Sequence, residues 1–226
     1  MTANNPIIIN GSFTYSGTVT TSLGTGAVTL GANTTITLST SSFMLEGPIS
    51  GAFNIIQAGS GSKLYLTSSA STFTGTFSNR TSTSTSTVLT TLANVGDGAS
   101  SLGAPTSPAN GTISLGWDND TGKLLFANTA AISTNRIIDM PEATTNNGGA
   151  WLETSATNIA HTVTFTSDIT VTGSAIHYFT FTGTNAGDNT FSGIIKNYDA
   201  SDITRVVKSS TGKWCLTGLN TYSDKT

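Results

Sequence analysis

Apolar and polar residues alternate with a period of two along much of the chain. The pattern is clear in Ser12–Val19 (SFTYSGTV), Ala27–Leu38 (AVTLGANTTITL), Lys63–Thr67 (KLYLT) and Thr112–Leu115. It returns in Thr162–Thr166 (TVTFT), Ile169–Thr172 (ITVT) and His177–Thr182 (HYFTFT). Thr, Val, Ile, Phe and Tyr dominate these runs, and such side chains fit a pleated, half-buried surface. Clusters of Gly, Asn, Asp and Ser interrupt them every ~8–12 residues, which predicts short strands joined by turns. No stretch keeps apolar residues at i, i+3, i+4 and i+7 for two turns, so helices are not expected. The fold class is all-β.

Two features favour a parallel β-helix, a solenoid, over an antiparallel β-sandwich, the alternative. The turn sites hold single Gly and Asn residues rather than the two-residue pairs that tight hairpins use. The chain also contains a degenerate internal repeat. Residues 55–75 (IIQAGSGSKLYLTSSASTFTG) resemble 206–224 (VVKSSTGKWCLTGLNTYSD). Each copy runs from two β-branched residues through a Gly-containing turn and a short strand ending Leu-Thr to a Thr-aromatic pair. With the lead-ins Ile49-Ser50-Gly51 and Phe191-Ser192-Gly193-Ile194, the units occupy about 47–77 and 191–226 of one domain spanning 1–226. A single coil cannot bury a face alone, whereas stacked coils bury a continuous core. Stacked Asn at the turns would add side-chain ladders.

Composition sharpens this picture. The 226 residues include 44 Thr and 29 Ser, about a third of the chain, but only 21 charged residues. A solenoid tolerates that balance, because Thr and Ser suit outward strand positions. Disorder would combine low hydrophobicity with high net charge. The net charge of −3 argues against nucleic acid as a partner. No apolar run reaches the ~20 residues of a membrane span. With two His, one Cys and three Glu, the residue types of enzyme sites are scarce. The N-terminus lacks the basic-then-apolar pattern of a secretory signal.

Lys208–Asp224 (KSSTGKWCLTGLNTYSD) is similar to the autotransporter-associated β-strand repeat, also called the passenger-associated transport repeat. That pattern runs K-x-G-x-G-x-W-x-L-x-G-x-N-T-Y-x-G. Lys208, Gly212, Trp214, Leu216, Gly218, Asn220, Thr221 and Tyr222 match it, while Ser210 and Asp224 stand where Gly is usual. Ser101–Gly116, Lys123–Asn128, Asn135–Ile138 and Gly183–Ile195 resemble the longer units around such repeats, so the likeness touches about half of the chain. The resemblance implies a right-handed parallel β-helix in surface-displayed or secreted bacterial proteins, or in virion fibre and decoration proteins of bacterial viruses. Passengers follow a signal peptide and precede a membrane barrel, and neither pattern is present here. Two expectations stay open: a virion component for which Thr226 is the native end, or one module of a longer passenger.

Candidate chemistry is sparse. Asp118-Asn119-Asp120-Thr121-Gly122 offers oxygens at alternate positions that would suit Ca²⁺, yet no Glu follows at the required spacing, and a polar turn is expected. Glycoside cleavage needs two carboxyls about 5–10 Å apart, and only Asp139 with Glu142 and Asp199 with Asp202 are close in sequence. His161 and His177, sixteen residues apart, would stack if one coil separated them. Solvated strand-edge histidines are the expectation. Cys215 should be a small core or semi-buried strand residue rather than a nucleophile. Thr81–Thr87 (TSTSTST) could be a flexible loop, a glycosylation target or a plain strand, and the loop is the expectation. Trp117, Trp151, Trp214, Tyr15, Tyr65, Tyr178, Tyr198 and Tyr222 could offer sugar-stacking surfaces, with Trp151 the best candidate for exposure. Trp214, Leu216, Leu64 and Leu66 are expected to hold the fold.

No catalytic, metal-binding or cofactor-binding set is assigned, and no cofactor is expected. The expected function is a non-enzymatic structural or adhesive solenoid on a virion or extracellular cell surface. An adhesin module and a polysaccharide-active β-helix enzyme are the competitors. Expected partners are further copies of the chain, a homotrimer included, other surface or virion proteins, and host-surface glycans.

Overall fold

A computed structural model describes residues 4–81, 85–141, 148–173 and 176–224, and these form a right-handed parallel β-helix of about eight turns. Coil by coil, the first turn holds β1 (Ile7–Ile9), β2 (Phe13–Tyr15) and β3 (Thr21–Ser22). The second holds β4 (Val28–Leu30), β5 (Thr34–Leu38) and β6 (Phe43–Leu45), and the third β7 (Ile49–Ser50), β8 (Ile55–Gly59) and β9 (Lys63–Leu66). Then come β10 (Phe77–Thr81) with β11 (Ser86–Leu89), and β12 (Ile113–Leu115) with β13 (Thr121–Phe126). The later coils hold β14 (Ile132–Thr134), β15 (Ile138–Met140) and β16 (Gly149–Thr154), then β17 (Val163–Phe165), β18 (Thr170–Val171) and β19 (His177–Gly183). The stack ends with β20 (Asn189–Phe191), β21 (Thr204–Lys208) and β22 (Trp214–Leu216).

These strands stack into three faces. One runs without a break from β2 to β18 and another from β3 to β21, while the remaining face is split into β1-β4-β7 and β14-β17-β20-β22. Every strand pairing among the described residues is parallel, and the one antiparallel contact is an isolated Trp117–Asp120 bridge. The sandwich alternative is therefore excluded. The split has a visible cause. Between β11 and β12 the chain leaves the coil in a long insert containing α1 (Pro108–Gly111), capped by the Ser107 hydroxyl. In the insert, Ala104 N donates to Phe73 O at 2.9 Å, and Val95 N donates to Asn135 Oδ1 at 2.8 Å. The insert thus bridges the two halves of the interrupted face.

Alternation becomes burial through register. Ile55, Phe77, Ile113 and Ile138 are Cα partners in one inward column, and all are fully buried. Leu64 and Leu66 are buried as expected, whereas Trp214 and Leu216 are half-buried at the end of the stack. The column Ile36–Gln57–Asn79–Leu115 is the exception, because two amides replace aliphatic side chains. Asn79 Nδ2 donates to Thr87 Oγ1 at 3.0 Å and to Lys123 O at 3.1 Å. Thr81 Oγ1 donates to Asn79 Oδ1 at 2.7 Å, and Thr87 Oγ1 donates to Gln57 Oε1. The side-chain amides of Gln57 and Asn79 and the hydroxyls of Thr81 and Thr87 are thus all bonded, so the desolvation cost of an orphaned group is avoided in this cluster.

The expected Asn ladder is present at a corner. Asn54 N donates to Asn33 Oδ1 at 2.9 Å, and Thr76 N donates to Asn54 Oδ1 at 2.8 Å, each bond linking one coil to the next. Further along, Asp168 Oδ1 and Asn220 Oδ1 accept from Ile194 N and Ile195 N, both at 2.8 Å. A corner N–H cannot join a strand ladder, and the side-chain oxygen of a neighbouring coil takes its place.

The two sequence-repeat copies do not occupy equivalent places. Leu64-Tyr65-Leu66 lies in β9 on the unbroken face that ends at β21, while Trp214-Cys215-Leu216 lies in β22 on the split face. The copies are offset by one face.

Candidate interaction surfaces

The Asp118–Gly122 segment is a turn whose second half is already strand. Asp120 N donates to Trp117 O at 2.9 Å, and Asp118 adopts φ 56°, a left-handed conformation that Asp tolerates better than most side chains. Thr121 is buried, and Gly122 packs so closely on Leu115 that a Cβ would lie 2.5 Å from its Cα. Those two positions therefore face the core and not a cation. Burial raises the Asp120 pKa above the ordinary value, and the neighbouring Asp118 carboxylate adds to it. No group of three or more His, Cys, Asp or Glu among the described residues is arranged to hold a metal ion.

The acid pairs are engaged in structure. Asp139, outward on β15, accepts from Ser114 Oγ at 3.0 Å and from Thr170 Oγ1 at 2.6 Å in the coils on either side. Glu142 lies outside the described residues. Asp199 accepts from Ser201 N at 2.7 Å and Asp202 N at 2.8 Å. Those backbone bonds hold its carboxyl below the usual range.

The histidines do not stack. Both belong to one coil, His161 just before β17 and His177 on β19, a different face. A coil here is longer than sixteen residues, which is why the spacing fails. His177 is buried, not solvated at a strand edge. Cys215 is half-buried and pairs with Thr190 in register.

The threonine run also departs from expectation. Residues 82–84 lie outside the described set, but Thr81, Thr85 and Thr87 are buried, and their hydroxyls bond Asn79, Gly61 and Gln57. A polar core pocket explains why low-complexity hydroxyl residues enter the interior.

Trp151 is half-buried because it stands within β16 and not in the preceding loop. Its ring lies beneath Lys123 of the adjacent coil, whose Nζ is 5.5 Å from the centroid and pairs with Glu153. Trp117 is the more exposed indole at 44%, with the Arg80 guanidinium 4.4 Å from its centroid. Trp214 packs on Phe181 and donates Nε1–H to Thr182 O at 3.2 Å. Tyr15, Tyr65, Tyr178 and Tyr222 are half-buried, and Tyr198 is exposed.

Two structural groups had no obvious sequence signal. Arg136 is buried beneath the insert, donating Nε to Gly111 O and Nη1 to Leu102 O, the latter at 3.2 Å. Burial alone lowers its pKa to about 10. Asn185 and Asn189 are buried at a second corner, where Asn185 Nδ2 bonds Ala156 O and Asn158 O, and Asn189 Nδ2 bonds Lys213 O. A small cavity of about 230 Å³ lies where the insert meets the start of β14, lined by Thr90, Thr91, Leu92, Ala93 and Thr129–Ser133.

Comparisons with family models, with curated proteins and with solved structures found no match. The structure defines the chain as a right-handed parallel β-solenoid. No helix among the described residues is long and apolar enough to cross a membrane.

Proposed function

We propose that the chain is a non-enzymatic structural or adhesive rod displayed on a particle or cell surface, such as a fibre or decoration element of a virion. The observation that carries this reading is the unbroken coil-to-coil register of the face from β2 to β18, reinforced at its corner by side-chain bonds between coils. Such a stack transmits load along its axis, because each coil is fixed to both neighbours. Its outward positions present hydroxyl rows, Ser133–Thr164–Thr190 among them, which stay hydrated without charge. Partners in this reading are copies of the chain, neighbouring surface proteins and glycans, engaged through many weak contacts that add by avidity.

Immunogold microscopy of the source material, combined with the intact mass of the native protein, tests the proposal. Label on the exterior of particles is the expected result. A much larger mass in the secreted or outer-membrane fraction would transfer the role to a passenger or adhesin module. Release of reducing ends from polysaccharides by the purified chain would overturn the non-enzymatic reading.

A further inference from the structure

We propose that Trp117, Trp151 and Tyr178 form a contact track for a neutral glycan chain, with the open face of Trp117 as its anchor. The three aromatic residues stand on successive coils along one flank of the rod. Thr121, Gly149 and Tyr178 are register partners on the face that runs from β3 to β21. Trp151 lies two residues beyond Gly149 on the outward side of the sheet, because Leu152 and Phe179 fill the inward positions. Trp117 sits at the corner just before β13. Neighbouring coils are ~4.7–4.9 Å apart, so the three residues span roughly 10 Å of the rod's length.

Each ring carries a cation, and the cations differ in what else holds them. Lys123 on Trp151 pairs with Glu153. Arg205 on Tyr178 pairs with Asp224 and donates Nη1–H to the Tyr178 hydroxyl at 2.8 Å. Arg80 on Trp117 joins no ion pair among the described residues, and its buried Nε has no hydrogen-bond partner. A guanidinium packed on one face of an indole leaves the other face to solvent, in keeping with the 44% exposure of Trp117. A lone exposed apolar ring is ordinary, but this one is fixed in place. Gly116 at φ 85° and Asp118 at φ 56° take left-handed backbone on either side of it. Gly116 N donates to Asn79 O and Asp120 N to Trp117 O, both at 2.9 Å, and Gly149 N of the next coil donates to Asp120 O. Left-handed backbone at a non-glycine residue stores strain, and such strain gathers at functional sites.

The chemistry of the track selects its ligand. The negative face of an aromatic ring attracts the slightly positive C–H bonds of a pyranose ring. Arg80 supplies donors for sugar hydroxyls, and Asp118, Asn119 and Asp120, next in the chain after the indole, supply acceptors. An acidic sugar would meet the two carboxylates of that turn, and the cations on Trp151 and Tyr178 are already neutralised by Glu153 and Asp224. A neutral hexose chain meets no such repulsion. Laid along the rod, it touches one ring after another, and contacts that are weak singly add along its length.

This inference rests on the display-rod reading and deepens it, because it assigns the glycan contact to named residues. Calorimetric titration of the purified chain with cellohexaose, maltohexaose, mannohexaose and chitohexaose tests it, with hexagalacturonate as the acidic control. Saturable binding of at least one neutral hexaose, and none of hexagalacturonate, is expected. Trp117→Ala should weaken that binding by about tenfold or more. Trp117→Phe should weaken it less, because a ring remains, and Trp151→Ala should have an intermediate effect. Unchanged thermal unfolding verifies that each variant is folded, and Arg80→Gln serves as a second variant at the anchor should Trp117→Ala disturb folding. Ile159→Ala, at a residue 65% exposed in the loop between β16 and β17, should bind as the unaltered chain does. Binding of none of the neutral hexaoses, of hexagalacturonate alone, or with an affinity indifferent to Trp117 and Arg80 would each overturn the track. None of those outcomes would move immunogold label from the exterior of particles, so the display rod would stand without it.

Discussion

Up to β9, register partners such as Ile7, Val28 and Ile49, or Phe43 and Leu64, recur every 21 residues and the core is mainly Ile and Leu. From β13 onward, partners such as Leu124, Leu152 and Phe181 stand 28 and 29 residues apart, and β13, β16 and β19, stacked on one face, lengthen to six and seven residues. Phe126, Phe165, Phe179, Phe181 and Phe191 fill that half, with ring centroids 4.5 to 6.0 Å apart. The longer strands of that face add inward positions, and interior packing at native density needs large side chains to fill the space they line. Charge follows the same division, with three charged residues before Asp97 and eighteen from there on. A tight coil spaces its corners evenly and closes them with Asn ladders. A loose coil has corner loops, and those loops need polar anchors such as Asn185, Asn189 and Arg136.

The aromatic half should therefore be the costlier to disturb. Phe181→Ala removes a ring packed against Phe179, Phe191 and Trp214 and should destabilise the protein by about 3–5 kcal/mol. Ile36→Val in the aliphatic half should cost about 0.5–1.5 kcal/mol. Guanidinium denaturation of both variants measures the contrast, and equal losses would mean that the wide half has collapsed around its cavity.

The Gln57–Asn79–Thr87 cluster marks the seam between the halves. Asn79→Ala removes the donor to Gln57 Oε1, Thr87 Oγ1 and Lys123 O and the acceptor of Thr81 Oγ1, and should cost about 2–3 kcal/mol. Replacing Gln57 and Asn79 together by Leu restores the aliphatic column of Ile36 and Leu115, and should recover much of that loss. A double-mutant cycle reports the coupling, and additive losses would show that the amides act separately.

The insert between β11 and β12 tests the polar anchors. Arg136→Met keeps the volume but deletes both bonds to the insert carbonyls, offset in part by removal of a buried charge. The net expectation is about 2 kcal/mol, with the loss concentrated in the insert. Hydrogen exchange should rise around Val95–Ala104 before it rises in β8, and uniform loss of protection would contradict the anchoring role.

Strand positions were legible because alternation survives wherever one face is buried, as in Thr34–Leu38, where every second residue is fully buried. The solenoid was legible from single-residue turns and the degenerate internal repeat, and scarce charge agreed with it. Coil period was not, because each face looks alike in sequence. Two β-branched residues, a Gly turn and a strand ending in Leu describe both β8–β9 and β21–β22, although β21 shares the face of β9 and not that of β8. The polar interior was hidden for a related reason. Thr81, Thr85 and Thr87 have the sequence signature of a flexible tract, and only the amides of Gln57 and Asn79 across the coil make them core residues. Trp151 was misplaced through its glycine-rich lead-in, which ends where β16 begins.

The smallest effect separates corner bonds from surface charge. Asn54→Ala removes the acceptor for Thr76 N in the regular half, and should cost about 1 kcal/mol, because one side chain satisfies an N–H that no strand can reach. Asp188→Asn dismantles the pair with Lys213 in the charged half, where both side chains are more than half exposed. The side-chain bond to Asp188 holds the Lys213 pKa above its ordinary value. Water and salt nevertheless screen a pair this exposed, so its loss should not alter the unfolding midpoint measurably. Thermal unfolding of both variants at low and high salt makes the comparison. A salt-sensitive loss at Asp188 larger than the loss at Asn54 would mean that the C-terminal coils are held by charge, and that the division between an evenly laddered half and an anchored half is wrong.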